Sequence, residues 1–223
     1  MVHPEMSHSR ESILAAIRRA TVGFSYETEA ARDYSSALTG PEPILDLLVD
    51  RLLDYNAYVI DLRDESNPLV VRHAINEALQ SRGISSVVVP SDLDHGIRPD
   101  YLEVTEDRGL SNKELDRIEA ALTLSAVTVA ASGTILLDHS MGQGRRMVTL
   151  LPDTHVCLVN VDSVVGTLPE AISKLGLRPV MTWISGPSAT SDIELVRVEG
   201  VHGPRNLIVV IHKVKVSHRG TSN

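Results

Sequence analysis

The chain has 223 residues, 43% of them hydrophobic and 22% charged, and a formal net charge of −8. That length accommodates one sizeable core without forcing a split, and the negative balance excludes a nucleic-acid surface, because phosphate binding depends on Lys and Arg. Aromatic residues, at 3%, are too few for a base-stacking platform, so the core must be aliphatic.

No apolar run approaches the roughly 18–20 residues that a membrane-spanning helix needs. The opening "MVHPEMSHSRES" lacks the basic-then-apolar order of a secretion signal, so the expected location is the cytoplasm. The single Cys157 excludes an internal disulfide and cannot alone hold an iron–sulfur cluster. It sits in the alternating run "THVCLVNV" and reads as a small buried hydrophobe.

In chain order, "SRESILAAIRRA" sets Ile13, Leu14 and Ile17 at helical spacing, with Ser9 and Glu11 suited to the start. The following "TVGFSYETEAARDYSSALTGPEP" has no sustained period, so residues 1–43 read as an N-terminal helix and extended arm. Pro43 opens a run in which Ile44, Leu47, Leu48, Leu52 and Leu53 share one face, and "AYVID" then supplies a short strand. A second unit repeats the order: Pro68 fits a first helical turn, Gly83 fits the stop, and "SSVVVP" is a continuous apolar strand. Strands alternating with helices predict an α/β fold, a mainly parallel sheet flanked by helices, over residues 44–213. Residues 214–223 read as a C-terminal tail, and the basic end "HKVKVSHRG", which overlaps it, reads as solvated.

The segment "SDLDHGIRPDYLEVTEDRG" is polar and turn-rich. Ser111 to Glu114, "SNKE", is a capping box that predicts a third helix carrying Leu115, Ile118 and Leu122. The stretches "SAVTVAASGTILLDHS", "RMVTLLPDTHVCLVNV", "RPVMTWIS" and "NLIVVI" are β-rich, interrupted by one helix around "PEAISKLG".

Three segments could carry chemistry. Ser132, Gly133 and Thr134 join two apolar strands and offer hydroxyls and backbone N–H groups to an anion, or form a plain hairpin turn. Gly142 and Gly144 make a mobile loop before Arg145 and Arg146, which could clamp a carboxylate or phosphate or lie at the surface. Asp138 and His139 precede that loop, and as neighbours on a strand they would point to opposite faces. The richest stretch is "SGPSATSDIELVRVEGVHGPR", where Gly186-Pro187 ends a strand and Ser188, Thr190, Ser191 and Asp192 follow. In open α/β sheets ligands bind outside the strand carboxyl ends, so this stretch reads as an anion site or as a polar turn. Asp192 could cap a turn or act as a general base, and His202, with Arg205 just beyond, is a second candidate base or a structural histidine. The nine His residues show no zinc-binding spacing, so no metal site is expected.

The long motif "GPSATSDIELVRVEGVHGPRNLIVVI", with "AASGTILLDHSMGQGRRMVTLLPDTHVCLVNVDSVVGTLPEAI" upstream and "ARDY" in the arm, resembles the LUD domain family, and within it the lactate utilization protein C group. The likeness runs from about Ile44 onward. It implies a fold similar to the NagB/RpiA/CoA transferase-like superfamily. It also implies a place beside two companion proteins in oxidising L-lactate to pyruvate, with the iron–sulfur cluster held by a companion and no cofactor bound by this chain. Ligand-facing roles follow for Ser132, Gly133, Thr134, Gly186, Ser188, Thr190, Asp192 and His202, without a catalytic role for any. Where relatives commonly carry Glu, this chain has Ala131, which places a CoA-transferase-like Glu nucleophile in doubt. Two other readings stay open: an independent enzyme acting on a phosphosugar or acyl-CoA, with Asp192 or His202 as base and Arg145 or Arg146 on the phosphate, and a purely structural interaction subunit.

Overall fold

A computed structural model describes residues 5–23, 38, 43–176, 180–190, 198–200 and 202–215. The chain divides into two compact units, residues 1–34 and 35–223. The first contains α1 (Glu5–Ala20), whose last turn carries Arg18 and Arg19, where positive charge complements the helix dipole.

The second unit runs α2 (Ile44–Asp54), β1 (Tyr58–Leu62), α3 (Pro68–Gln80), β2 (Ser86–Pro90), β3 (Glu103–Asp107), α4 (Asn112–Leu115) and β4 (Ala120–Leu124). It continues with β5 (Val127–Val129), β6 (Thr134–Leu137), β7 (Thr154–Asn160), β8 (Val164–Val165), α5 (Leu168–Leu175), β9 (Thr182–Ile184), β10 (Ala189–Thr190), β11 (Val198–Glu199) and β12 (Asn206–His212). Among the described residues six strands form one sheet in the order β1-β12-β7-β4-β2-β3, every neighbouring pair parallel. Both faces are covered, which is why the central strands are apolar runs without alternation. On one face Val87, Val89, Leu122, Val156, Ile208 and Val210 pack under Val71, Ile75 and Leu79 of α3. On the other, Cys157, Val159, Val209 and Ile211 meet Leu48 and Leu52 of α2 and Ile135 and Leu137 of β6.

The start of α3 is specified locally: Asn67 accepts a hydrogen bond from Leu69 N–H at 3.0 Å, and Pro68 occupies the first turn, where its missing donor costs nothing. A smaller sheet, in the order β8-β5-β6-β9, lies over the second face of the large one, and α5 covers its outer side through Ala171.

Three sequence expectations change. The capping box at Ser111 and Glu114 is present, but α4 is a single turn and Leu122 belongs to β4, because the apolar run "AALTL" is drawn into the buried centre of the sheet. The polar segment after Pro90 contains the edge strand β3, whose half-exposed side chains give no apolar signal. The segment beginning "RMVT" opens with a 3-10 turn, Arg146–Thr149, before β7 begins at Thr154.

Candidate functional site

A cavity of about 230 Å³ opens between the two sheets. The large sheet contributes His155 and Leu207, each the second residue of its strand, so the cavity lies toward the amino ends of β7 and β12. The small sheet contributes β9, the 3-10 turn contributes Arg146 and Thr149, and the mouth is made by Gly186–Ser188 and His202–Pro204. The stretch does follow the carboxyl end of β9, as expected, but β9 is in the antiparallel part of the small sheet. The crevice beyond the carboxyl ends of the large sheet is a different depression, lined by Pro90, Asp92, Asp107 and Arg145 among others.

The two Gly-Pro turns are tied to each other. Ser188 N–H donates to the Pro204 carbonyl at 2.8 Å, His202 N–H donates to Ser188 Oγ at 3.1 Å, and Gly200 N–H donates to the Ser188 carbonyl at 3.0 Å. Gly186 has φ +85°, and a Cβ there would stand 2.8 Å from Tyr55 Cβ, so only glycine suits this close approach to the end of α2.

Arg146 donates to Thr149 Oγ1 at 3.2 Å, and that hydroxyl donates back to the Arg146 carbonyl at 3.2 Å. The Thr149 proton is thereby committed to backbone, and its oxygen is turned toward the guanidinium. Among the described residues no carboxylate pairs with Arg146. Desolvation holds its pKa below the ordinary guanidinium value, yet an arginine remains charged. A partly desolvated cation beside a small cavity is a natural partner for an anion.

His155 is 1% exposed, and its Nε2 lies 2.8 Å from Thr123 Oγ1. Burial, reinforced by the positive charge of Arg146, pushes its pKa down to about 4, so the imidazole is neutral near pH 7. Cys157, on the same strand and face, is fully buried, and burial pushes its thiol up to about 12. It is an inert packing residue.

The predicted site residues separate into those that line the cavity and those that do not. Arg146, Gly186, Ser188 and His202 line it. Ser132 and Thr134 lie one step behind: Ser132 Oγ is 2.7 Å from Thr134 Oγ1, which is 2.9 Å from Ser185 Oγ, and Ser185 lines the cavity. Gly133 is packed against Arg51 of α2, where a Cβ would approach Arg51 Cβ to 3.1 Å. The two adjacent arginines diverge and form no clamp. Arg145 grips Asp107 through Nε at 2.7 Å and Nη2 at 2.9 Å and also reaches the Leu110 carbonyl. Arg205 pairs with Asp153 away from the cavity. Thr190 pairs with Val198 between β10 and β11, and Ser191 and Asp192 lie outside the described residues.

The loop between β6 and the 3-10 turn is knit together. Gln143 Oε1 accepts from Asp138 N–H at 2.7 Å and His139 N–H at 3.2 Å, and Gly142 N–H donates to Asp92 at 3.1 Å. His139 is not on a strand: it has φ +60°, which the Gln143 bonds stabilise. Its ring bridges the Gly144 carbonyl, 2.9 Å from Nδ1, and Thr182 Oγ1, 3.1 Å from Nε2.

Sequence reasoning missed Thr149, His155, Thr182 and Ser185 as lining residues. The available signal was polar side chains inside otherwise apolar strands: His155 and Thr182 each interrupt a run that packing alone would fill with Val or Ile.

Comparison with known proteins decides the family. The LUD domain model matches residues 66–212. The chain belongs to the LUD domain family. A relative from Deinococcus radiodurans, named lactate utilization protein C, is 38% identical over 218 residues, covering 93% of this chain and 97% of that protein. A second of the same name, from Anoxybacillus flavithermus, is 31% identical over 152 residues, 63% of this chain and 69% of the relative. The crystal structure of a DUF162 family protein from Deinococcus radiodurans superposes with a TM-score of 0.64 at 36% identity, covering 76% of this chain and 96% of the other. The α/β LUD architecture is thus shared.

Proposed function

We propose that this LUD-domain protein serves lactate utilization as the subunit that binds a small carboxylate, with L-lactate as its ligand. The observation that carries the reading is the cavity of about 230 Å³ with Arg146 on its wall. Pockets for drug-sized ligands span about 300–1,000 Å³, so this one suits a solute of a few heavy atoms with one negative charge. The names borne by the relatives from Deinococcus radiodurans and Anoxybacillus flavithermus support lactate as that solute.

In this reading the chain acts in the cytoplasm within a complex that oxidises L-lactate to pyruvate. A companion protein holds the iron–sulfur cluster and takes the electrons; this chain binds, orients and helps assemble. The test is reconstitution: companions purified with and without this chain, assayed for lactate-dependent reduction of an electron acceptor. The reading expects loss of turnover without this chain and no turnover by this chain alone. Full activity of the companions without it, or oxidation by the isolated chain at the rate of the set, would overturn it.

A further inference from the structure

The hydrogen bonds already made around the cavity decide what each polar group can still offer a ligand. The Gly144 carbonyl only accepts, so the His139 Nδ1 beside it carries the ring proton. With the ring proton on Nδ1, Nε2 is the acceptor nitrogen, and the Thr182 hydroxyl, 3.1 Å away, donates to it. A hydroxyl has one proton. Thr182, 7% exposed and lining the cavity, is left with lone pairs only. Ser188 is the converse: its Oγ already accepts from His202 N–H, so its proton is free to be donated. Arg146 supplies the charge.

The cavity therefore presents a cation, a free hydroxyl donor and an acceptor oxygen. Resting on the lactate reading above, we infer that Thr182 is a specificity-determining residue that accepts the hydroxyl proton of a small 2-hydroxy acid while Arg146 and Ser188 hold its carboxylate. A 2-oxo acid would set its carbonyl lone pairs against those of Thr182, and an unsubstituted acid would leave Thr182 unpaired. His139 is the positioning residue. Its ring is held by the Gly144 carbonyl and by a backbone that Gln143 fixes through both the Asp138 and His139 N–H groups. Leaving such a buried group unpaired weakens binding by about tenfold to a hundredfold.

The experiment is isothermal titration of the full chain with L-lactate, pyruvate and propionate, for wild type, Thr182→Val, Thr182→Ser and Arg146→Gln, with melting temperatures as a control for folding. Wild type should prefer lactate by tenfold or more over both other acids. Thr182→Val, which removes the acceptor, should abolish the preference by weakening lactate and relieving propionate of the unpaired oxygen, and Thr182→Ser, which keeps the hydroxyl, should restore the preference. Equal binding of all three acids by wild type, lost in Arg146→Gln, overturns the Thr182 assignment and leaves the carboxylate site standing. A lactate preference that survives in Thr182→Val also overturns it. No binding of any of the acids overturns both.

Discussion

Acidification from pH 7 to pH 5 should lower the unfolding free energy by about 2 kcal/mol for each of two buried histidines, His155 and His212. Both are excluded from solvent, and burial pushes each down to about 4 from an ordinary value of 6.5, with Arg146 adding to the effect at His155. His212 Nδ1 accepts from Val214 N–H at 3.0 Å, and its Nε2 has no partner among the described residues, an arrangement that holds the ring neutral. The sign follows from proton binding. Below pH 6.5 the unfolded chain takes up a proton that the folded chain refuses, so stability falls as pH drops through the window from 6.5 to about 4 and levels off beneath it. Together the pair removes about 4 kcal/mol by pH 5, a large share of the typical 5–15 kcal/mol. Depressed carboxylates such as Glu106 and Asp107 act lower, as pH falls through and below their ordinary values of 4.5 and 3.8. Urea unfolding followed by circular dichroism at pH 7 and pH 5 measures the difference, and His155→Gln or His212→Gln should each remove about half of it. A pH dependence unchanged in both variants would refute the reasoning.

Arg145→Ala breaks the bidentate contact with Asp107 and should cost about 1–3 kcal/mol by urea unfolding, while lactate affinity by titration stays at the wild-type value. Gly186→Ala forces a Cβ into a +85° backbone and against Tyr55, so a loss of about 1–3 kcal/mol is expected, read as a lower melting temperature. Ser111→Ala removes the bond that Ser111 Oγ accepts from Glu114 N–H and should lower stability by about 1 kcal/mol by urea unfolding.

The fold class was legible because its signals are local and periodic. Asn67-Pro68 and Gly83 bracket α3, and the short apolar run Val87–Val89, set just after that helix, reads as a strand covered on both faces. The edge strand β3 was not legible, because a strand exposed along one side needs no apolar code. Likewise the capping box at Ser111 announces a helix start but says nothing of its length, and β4 claimed Leu122 through long-range packing. The site divided in the same way. Gly186, Ser188 and His202 were legible from turn chemistry in one segment, whereas His155 and Thr182 meet the cavity only because two sheets stack. The divergence of Arg145 and Arg146 depends on Asp107, 38 residues away from Arg145, which no local pattern reveals.

The most direct test of the central claim is calorimetric titration of L-lactate into the wild-type protein and into Arg146→Gln. A charge-assisted hydrogen bond contributes about 1.5–3 kcal/mol, so saturable binding in wild type should weaken roughly tenfold to a hundredfold in the variant. The melting temperature of the ligand-free variant should stay near wild type, because Arg146 pairs with no carboxylate among the described residues. Absence of saturable binding in wild type, or equal affinity in Arg146→Gln, would contradict the account.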